Sequence, residues 1–145
     1  MEVRIKLLDK RATPPKYGTD YSAGADLYSL QGEALTVAPG ATVLVHTGIA
    51  MEIPEGYAGL IFARSGLASK RGLAPANKVG VIDADYRGEC MVALHNHSDE
   101  PVTVEGGERV AQLCIVPFLK ADYEFSDNLS DTVRGAGGFG STGTK

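Results

Sequence analysis

The chain has 145 residues, of which 43% are apolar, and its 14 Lys and Arg against 18 Asp and Glu give a formal net charge of −4. This length predicts a single domain that buries about two-thirds of the surface exposed by its unfolded chain. The negative charge argues against duplex nucleic acid as a general partner, and no run approaches the roughly 20 apolar residues that cross a bilayer.

The first ten residues, MEVRIKLLDK, carry charges every few positions and have no apolar core. We therefore expect no signal peptide and a cytoplasmic location.

Cys90 and Cys114 lie in apolar runs, which favours buried free thiols over a disulfide or a metal site. His95 and His97 share a strand face, but no third ligand is suggested, so surface or packing roles are favoured.

Short runs rich in Val, Ile, Leu and Tyr follow one another between turns that contain Gly or Pro. In chain order they are VRIKLL, TVLVHTGIAMEI, YAGLIFA, GVIDA, MVALHNH, VTV and VAQLCIVPFL, and each predicts strand structure. MVALHNH alternates, which indicates one buried face, whereas AQLCIVPFL is nearly continuous, as in a strand covered on both faces or at a subunit contact. SGLASKRG (65–72) is the one helical segment, with Ser65 as its N-cap and Gly72 as its stop.

These elements predict an all-β, jelly-roll-like distorted barrel or sandwich with one short helix, in residues 1–133. A Gly-rich, flexible tail follows in residues 134–145, with one cation, Arg134, and one aromatic ring, Phe139. Twelve extended residues reach about 40 Å, enough to cover a site on another subunit and to exclude water there. The tail also has a G-x-x-x-x-G spacing, but without the Lys-Ser/Thr of a P-loop.

Two carboxylates stand two residues apart in GVIDADYRGE (80–89). Asp83 and Asp85 would share a strand face unless a turn intervenes. Spacing alone supports a solvated hairpin tip as well as an aspartate that orients and deprotonates a water. Tyr86 is then either a flat wall against a ring or sugar, or an ordinary sheet residue.

Polar residues elsewhere fit either a phosphate or a structural role. In ARSGLASK (63–70), Ser65 could cap the helix, but a Ser-Gly start beside Arg64 also offers several donors to an anion. In GERVAQL (107–113), Gln112 stands among apolar neighbours and needs partners for its amide.

Five stretches occur in order along the chain: AGADLYS (23–29), RSGLA (64–68), GVIDADYRG (80–88), GERVAQL (107–113) and RGAGGFGSTG (134–143). Together they resemble the five sequence motifs of the trimeric deoxyuridine triphosphate nucleotidohydrolases (dUTPases). The resemblance implies a homotrimer whose three sites each use residues of all three subunits. It also implies hydrolysis of dUTP to dUMP and pyrophosphate, with Mg²⁺ on the triphosphate, which keeps uracil out of DNA and supplies dUMP for thymidylate synthesis.

The resemblance also implies residue roles. Asp83, rather than Asp85, takes the place of the general base, and Tyr86 packs under the deoxyribose, where a 2′-hydroxyl would clash. Uracil would enter a β-hairpin from about Asn77 to Asp83. The uracil and deoxyribose contacts would come from Asn77, Gly80, Val81, Ile82, Asp83, Tyr86, Met91 and Phe139. The phosphate contacts would come from Arg64, Ser65, Gly66, Gln112, Arg134, Gly140, Ser141 and Thr142.

Two points stay open beside the resemblance. Asp26 matches the aspartate of the first motif, and a role near the metal through water or at a subunit contact is as well supported as a structural one. Ala63 departs from the family, many members of which have proline before Arg-Ser-Gly. This departure removes no expected contact, although it would loosen the approach to Arg64.

Three other interpretations remain. A dCTP deaminase shares this fold and trimer, but it needs a differently placed acid/base glutamate and a pocket for the cytosine amino group. A non-catalytic nucleotide sensor would keep the site without the chemistry, which Asp83 and the tail argue against. A β-sandwich interaction protein leaves the five ordered motifs unexplained.

Overall fold

The structure, a computed structural model, describes residues 1–32 and 34–138. The predictions made for Phe139, Gly140, Ser141 and Thr142 lie outside these residues. In chain order the elements are β1 (Arg4–Leu7), β2 (Lys16–Tyr17), β3 (Ala25–Tyr28), β4 (Leu35–Val37), β5 (Thr42–Val45), β6 (Ile49–Glu52), β7 (Tyr57–Phe62), α1 (Ser65–Arg71), β8 (Leu73–Pro75), β9 (Gly80–Ile82), β10 (Val92–Asn96), β11 (Val102–Val104) and β12 (Arg109–Pro117).

The strands pair antiparallel throughout the described part of the chain. The largest sheet has the order β2-β3-β12-β7-β9, a second has the order β5-β10-β8, and β1-β6 and β4-β11 form two pairs. Strand β12 lies between β3 and β7, so Gln112 stands opposite Asp26 on one side and Phe62 on the other. The predicted all-β architecture with one short helix is confirmed for the described residues.

One apolar core holds these sheets together. Its fully buried side chains come from most of the longer strands and the turns beside them: Leu27, Val37, Ile49, Leu73, Leu94, Val92, Val104 and Val110. Strand β10 buries every second residue, as its alternation predicts. Burial of each such side chain stabilises the fold by roughly 1.5–3 kcal/mol relative to its exposure. Among the described residues, no helix has the length and apolar character to span a membrane.

Two strand predictions differ from the structure. The run TVLVHTGIAMEI is two strands, β5 and β6, because the chain turns at Gly48, whose φ of +70° is rarely adopted by residues with a side chain. The segment from Asn77 to Asp83 is not a hairpin, because β8 pairs with β10 whereas β9 pairs with β7. It therefore connects two sheets, and this connection borders the cavity described below.

Helix α1 begins at Ser65, one residue earlier than the prediction of Ser65 as N-cap requires. The N-cap position belongs to Arg64, in extended conformation and without a side-chain cap hydrogen bond, so the prediction of Ser65 as N-cap is wrong. The side chain of Arg64 turns to Asp26 instead, with Nε donating to Oδ1 at 2.8 Å. Gly72 ends the helix in the left-handed region, with φ 67°, as predicted.

The chain beyond β12 is exposed. Its large apolar side chains are almost entirely open to solvent in the single chain: Leu119, Tyr123, Phe125, Leu129 and Val133. Within β12 itself, Cys114, Ile115 and Val116 are only partly covered, so coverage on both faces does not extend to these residues in one chain. A subunit contact at these surfaces stays a prediction, as does the domain boundary after residue 133.

Both cysteines are free thiols, as predicted, and Cys90 is buried. Burial, with a smaller contribution from the Glu89 charge, raises the pKa of the Cys90 thiol to about 11. At pH 8 an ordinary thiol with a pKa of about 8.5 is roughly one-quarter thiolate, whereas Cys90 stays almost entirely protonated.

We therefore expect iodoacetamide to modify Cys90 roughly two-hundredfold more slowly in the native protein than in denaturant. Mass analysis of the Cys90 peptide over time measures this, and rates within tenfold of each other would contradict the burial.

Candidate active site

A cavity of about 300 Å³ opens beside β9, and its volume lies at the lower end of the range for small-molecule sites. We call it the β9 cavity. Its lining includes every described residue that was predicted to contact uracil or deoxyribose: Asn77, Gly80, Val81, Ile82, Asp83, Tyr86 and Met91. In the sequence these residues lie before β9, within β9, in the turn after it and directly before β10. The fold brings them to one concave surface.

The floor of the cavity is set by the turn that precedes β9. The Lys78 N–H donates to the Pro75 carbonyl at 3.0 Å, and the Val79 N–H donates to the Asn77 carbonyl at 2.7 Å. This tight backbone path leaves Asn77 close to Gly80, where an added Cβ would lie 3.3 Å from the Asn77 Nδ2 atom. An amide that can both donate and accept therefore stands at the edge of an otherwise largely apolar wall.

A turn separates the two aspartates. The Tyr86 N–H donates to the Asp83 carbonyl at 3.1 Å, so the chain leaves the β9 direction directly after Asp83. Asp83 lines the β9 cavity, whereas Asp85 lines a different groove with Glu52 and Arg87. The shared strand face that their spacing allows is not formed, and only Asp83 stands where it could act on a molecule in the cavity.

Tyr86 lies at the exposed side of the cavity, with 44% of its surface accessible. Its hydroxyl donates to the backbone carbonyl of Glu89 at 3.1 Å. The side chain therefore folds back over its own chain and lines the cavity from a turn, rather than occupying an ordinary sheet position.

Glu89 is a cavity residue that sequence reasoning missed. Burial acts to raise its pKa, but hydrogen bonds from His46 and from the Gly48 N–H outweigh this and hold the pKa of Glu89 below its ordinary value. The His46 Nδ1 atom lies 2.8 Å from Oε2, and the Gly48 N–H donates to Oε1 at 2.7 Å. Glu89 ends the quoted stretch GVIDADYRGE, but its partners lie more than 40 positions away, and no local pattern identifies them.

A second group of charges surrounds Asp26, which is 5% exposed. Its Oδ1 accepts from the Arg64 Nε at 2.8 Å, and its Oδ2 accepts from the Arg109 Nη1 at 3.3 Å. We call these three residues the Asp26 cluster. Arg64 also donates from Nη1 to the Arg109 carbonyl at 3.3 Å. Since a guanidinium has about five N–H donors, about three remain for an anion.

Gln112 stands on the same sheet face as Asp26, because directly opposed residues of paired strands share a face. Its half-buried side chain forms no hydrogen bond within the described part of the chain. Ser65 and Gly66 are exposed at the start of α1, directly after Arg64. The predicted phosphate residues before the tail thus gather on one surface, and Arg109 joins them as a residue that sequence reasoning did not single out.

The β9 cavity and the phosphate residues do not form one site in a single chain. The lining of the cavity includes neither the Asp26 cluster nor Ser65, Gly66 or Gln112. Arg134 is exposed, and its Nε donates to the nearby Gly137 carbonyl at 2.7 Å. The residues predicted to contact a base and sugar and those predicted to contact phosphates therefore lie in separate parts of this chain.

The residues present do not offer a protein cage for a metal ion. Among the described residues, no three His, Cys, Asp or Glu side chains are placed to hold one ion. Asp26 is a poor metal ligand, because both of its oxygens accept hydrogen bonds from guanidinium groups. This arrangement fits a magnesium ion held by phosphate oxygens of a ligand rather than by the protein.

Asp26→Asn tests whether the Asp26 cluster positions Arg64. The amide keeps the shape but removes the charge that holds two guanidinium groups, so we expect the protein to lose about 2 kcal/mol of stability. We also expect kcat/KM for a phosphate-bearing substrate to fall roughly tenfold, because Arg64 loses its orientation. Chemical denaturation and steady-state kinetics measure both, with Asp99→Asn, at an exposed carboxylate, as the control. Unchanged stability and kinetics would show that the cluster has no positioning role.

Comparison with known proteins points to one family. A family model described as dUTPase matches residues 10–143. The deoxyuridine 5′-triphosphate nucleotidohydrolase of Desulfitobacterium hafniense is 47% identical over 146 residues, which cover 99% of this chain and 97% of that protein. The structure is also similar to that of the Staphylococcus bacteriophage 80alpha dUTPase with dUPNHPP, with a TM-score of 0.89, 31% identity and 98% coverage of both chains.

A further solved structure bears on metal binding. It is a variant of the dUTPase from phage phi11 of S. aureus, described with the coordination of a structural Mg(II) ion. Its TM-score is 0.78 at 25% identity, with coverage of 88% of this chain and 98% of that one. These neighbours have the jelly-roll-like arrangement of strands that the sequence of this chain predicts.

Proposed function

This chain belongs to the dUTPase family, and from that premise we propose how it hydrolyses dUTP to dUMP and pyrophosphate. The observation that carries the proposal is the β9 cavity, which gathers every described residue expected to contact uracil and deoxyribose around Asp83. In this proposal Asp83, exposed directly after the end of β9, holds a water in line with the α-phosphorus and accepts its proton.

Selection of the substrate follows from the walls of the cavity. Main-chain groups between Asn77 and Asp83, with the Asn77 side chain, would receive the uracil edge. A cytosine amino group would there meet a donor in place of an acceptor, and an unpaired buried group is costly. The flat face of Tyr86 lies under the deoxyribose and leaves no room for a 2′-hydroxyl. Met91, directly before β10, completes the apolar side of the pocket.

The phosphates would lie against the second group of residues. The unused N–H groups of Arg64, the backbone of Ser65 and Gly66, and the Gln112 amide would stabilise charge at the α-phosphorus. Asp26 acts in this proposal by holding Arg64 in place and not by binding a metal. Mg²⁺ held by the triphosphate oxygens would neutralise charge that otherwise repels the attacking water.

A complete site requires more than one chain. Since the β9 cavity and the phosphate residues are separate in the single chain, we propose a homotrimer in which one subunit supplies the cavity and a second supplies the phosphate residues. The tail from residue 134 onward would close the site, with Arg134 on the γ-phosphate and Phe139 over uracil. Gly140, Ser141 and Thr142 would add backbone and hydroxyl contacts to the triphosphate.

Pyrophosphate release tests the proposed function directly. We expect purified protein to release pyrophosphate from dUTP with Mg²⁺, and far less from UTP, dCTP or dTTP. Ammonia release from dCTP would instead support a deaminase. Binding of dUTP without any turnover would support a nucleotide sensor and contradict the role of Asp83.

A further inference from the structure

Tyr86 rests directly on the backbone of a residue without a side chain. A Cβ added at Gly88 would lie 2.3 Å from the Tyr86 Oη and 2.5 Å from its Cζ, distances at which atoms overlap. The Tyr86 hydroxyl donates to the Glu89 carbonyl at 3.1 Å. The distance between the ring and the cavity, which we call the height of Tyr86, is therefore set by the backbone of residues 88 and 89 rather than by packing against the core.

That stretch of backbone is tied firmly to the connection between β5 and β6. The Glu89 carboxylate accepts from the Gly48 N–H at 2.7 Å and lies 2.8 Å from the His46 Nδ1. The next residue adds two bonds to the same connection: the Cys90 N–H donates to the Ile49 carbonyl at 2.8 Å, and the Thr47 hydroxyl donates to the Cys90 carbonyl at 2.6 Å. Three of these four bonds use a side chain: two use the Glu89 carboxylate and one uses the Thr47 hydroxyl. The two Glu89 bonds are the ones that a substitution in the turn itself can remove.

The connection between β5 and β6, to which Glu89 is bonded, has little freedom to move because it is closely packed. Thr47 is 1% exposed, and a Cβ added at Gly48 would lie 2.8 Å from both the Ala12 Cβ and the Leu30 Cδ1. The carboxylate of Glu89 thus joins the exposed turn that carries Tyr86 to a closely packed part of the protein. Its hydrogen bonds are charge-assisted and are correspondingly strong.

We propose that Glu89, held by His46 and Gly48, is a positioning residue that fixes the height of Tyr86 and thereby sets the discrimination between deoxyribose and ribose. The inference rests on the proposed function, in which Tyr86 lies under the sugar. A flat ring rejects a 2′-hydroxyl by steric clash. The discrimination therefore depends on a Tyr86 ring that stays in a fixed position. When the Glu89 bonds are lost, the turn at residues 86–89 can move, and the Tyr86 ring shifts away from the cavity. The space that this opens accommodates the 2′-hydroxyl of a ribose.

The test is the selectivity ratio, kcat/KM for dUTP divided by kcat/KM for UTP, in Glu89→Ala. We expect this ratio to fall roughly tenfold, which corresponds to about 1.4 kcal/mol, mainly because UTP becomes a better substrate. A ratio measured in one preparation does not depend on the fraction of folded protein, so a loss of stability alone leaves it unchanged. The dissociation constants of dUMP and UMP give the same ratio without turnover.

Three further variants separate positioning from direct contact with the substrate. Glu89→Gln keeps an acceptor for the Gly48 N–H, and its amide N–H can donate to the His46 Nδ1 once the imidazole takes the tautomer that accepts there, so we expect a ratio within twofold of the wild type. Tyr86→Phe removes the bond to the Glu89 carbonyl and should lower the ratio as Glu89→Ala does, with no further loss in the double variant. Gly88→Ala displaces the ring itself and should have the largest effect. The exposed Glu55, on a separate groove, supplies the control Glu55→Ala.

The outcomes are distinct. An unchanged ratio in Glu89→Ala, or losses that multiply in the double variant, would overturn the inference while leaving the proposed function intact. If the wild type lacks turnover but prefers dUMP to UMP, and Glu89→Ala loses this preference, the inference stands and the proposed function fails. If the wild type binds both monophosphates equally, Tyr86 has no role in discrimination and both fail.

Discussion

Asp83→Asn is expected to lower kcat for dUTP by roughly 10²–10⁴-fold, the range typical of the loss of a general base, while the dissociation constant for the nucleotide stays within a few-fold. An amide keeps the size of the side chain and can still hold a water, but it cannot accept the proton of that water. Asp83 is exposed and lies after the end of β9, so the substitution removes no core contact. Single-turnover kinetics and calorimetric titration with a non-hydrolysable dUTP analogue measure the two quantities separately.

The matched control for this prediction is two residues away. Asp85 has the same side chain and is similarly exposed, but the turn at residues 83–86 directs it to the groove that contains Glu52. We expect Asp85→Asn to retain near-normal turnover. A result in which Asp83→Asn keeps kcat, or in which both variants lose it equally, would remove the assignment of Asp83 as the base.

The contrast between these aspartates shows what the sequence could and could not predict. Alternation and turn residues identified most of the strands, because they report which face of a strand is buried. They missed four short strands: β2, β3, β4 and β8. They did not show that the chain turns directly after Asp83, because Ala84 and Asp85 suit a strand end and a turn equally well. That point depended on the resemblance to a family and on the backbone bond between Tyr86 and Asp83.

Contacts between distant segments were beyond prediction from local pattern. The Asp26 cluster joins β3, the residue before α1 and the start of β12, and the Glu89 carboxylate reaches back to the connection between β5 and β6. Ser65 was a reasonable cap by residue type, but the N-cap position belongs to Arg64, whose side chain pairs with Asp26. The partners of these charged side chains lie far away in the sequence, and a short window of sequence does not contain them.

Removal of residues 134–145 is expected to lower kcat/KM for dUTP by roughly 10²–10⁴-fold without dissociating the trimer. In our proposal the tail supplies the Arg134 contact to the γ-phosphate, for which a charged hydrogen bond contributes about 1.5–3 kcal/mol. It also supplies the Phe139 ring over uracil, for which stacking on a base contributes about 1–3 kcal/mol. Among the described residues the last strand ends at Pro117, so the truncation leaves every described strand pair in place.

Light scattering of the truncated protein and steady-state kinetics decide between a closing role and a structural one. Arg134→Ala and Phe139→Ala in the full chain divide the expected loss between the two contacts, because each retains the Gly-rich backbone. Turnover equal to that of the full chain would exclude the tail from the site. Dissociation of the truncated protein would show that the tail holds subunits together. A loss of kcat/KM with an intact trimer is the result that our proposal requires, since closure over the nucleotide is then the only contribution that has been removed.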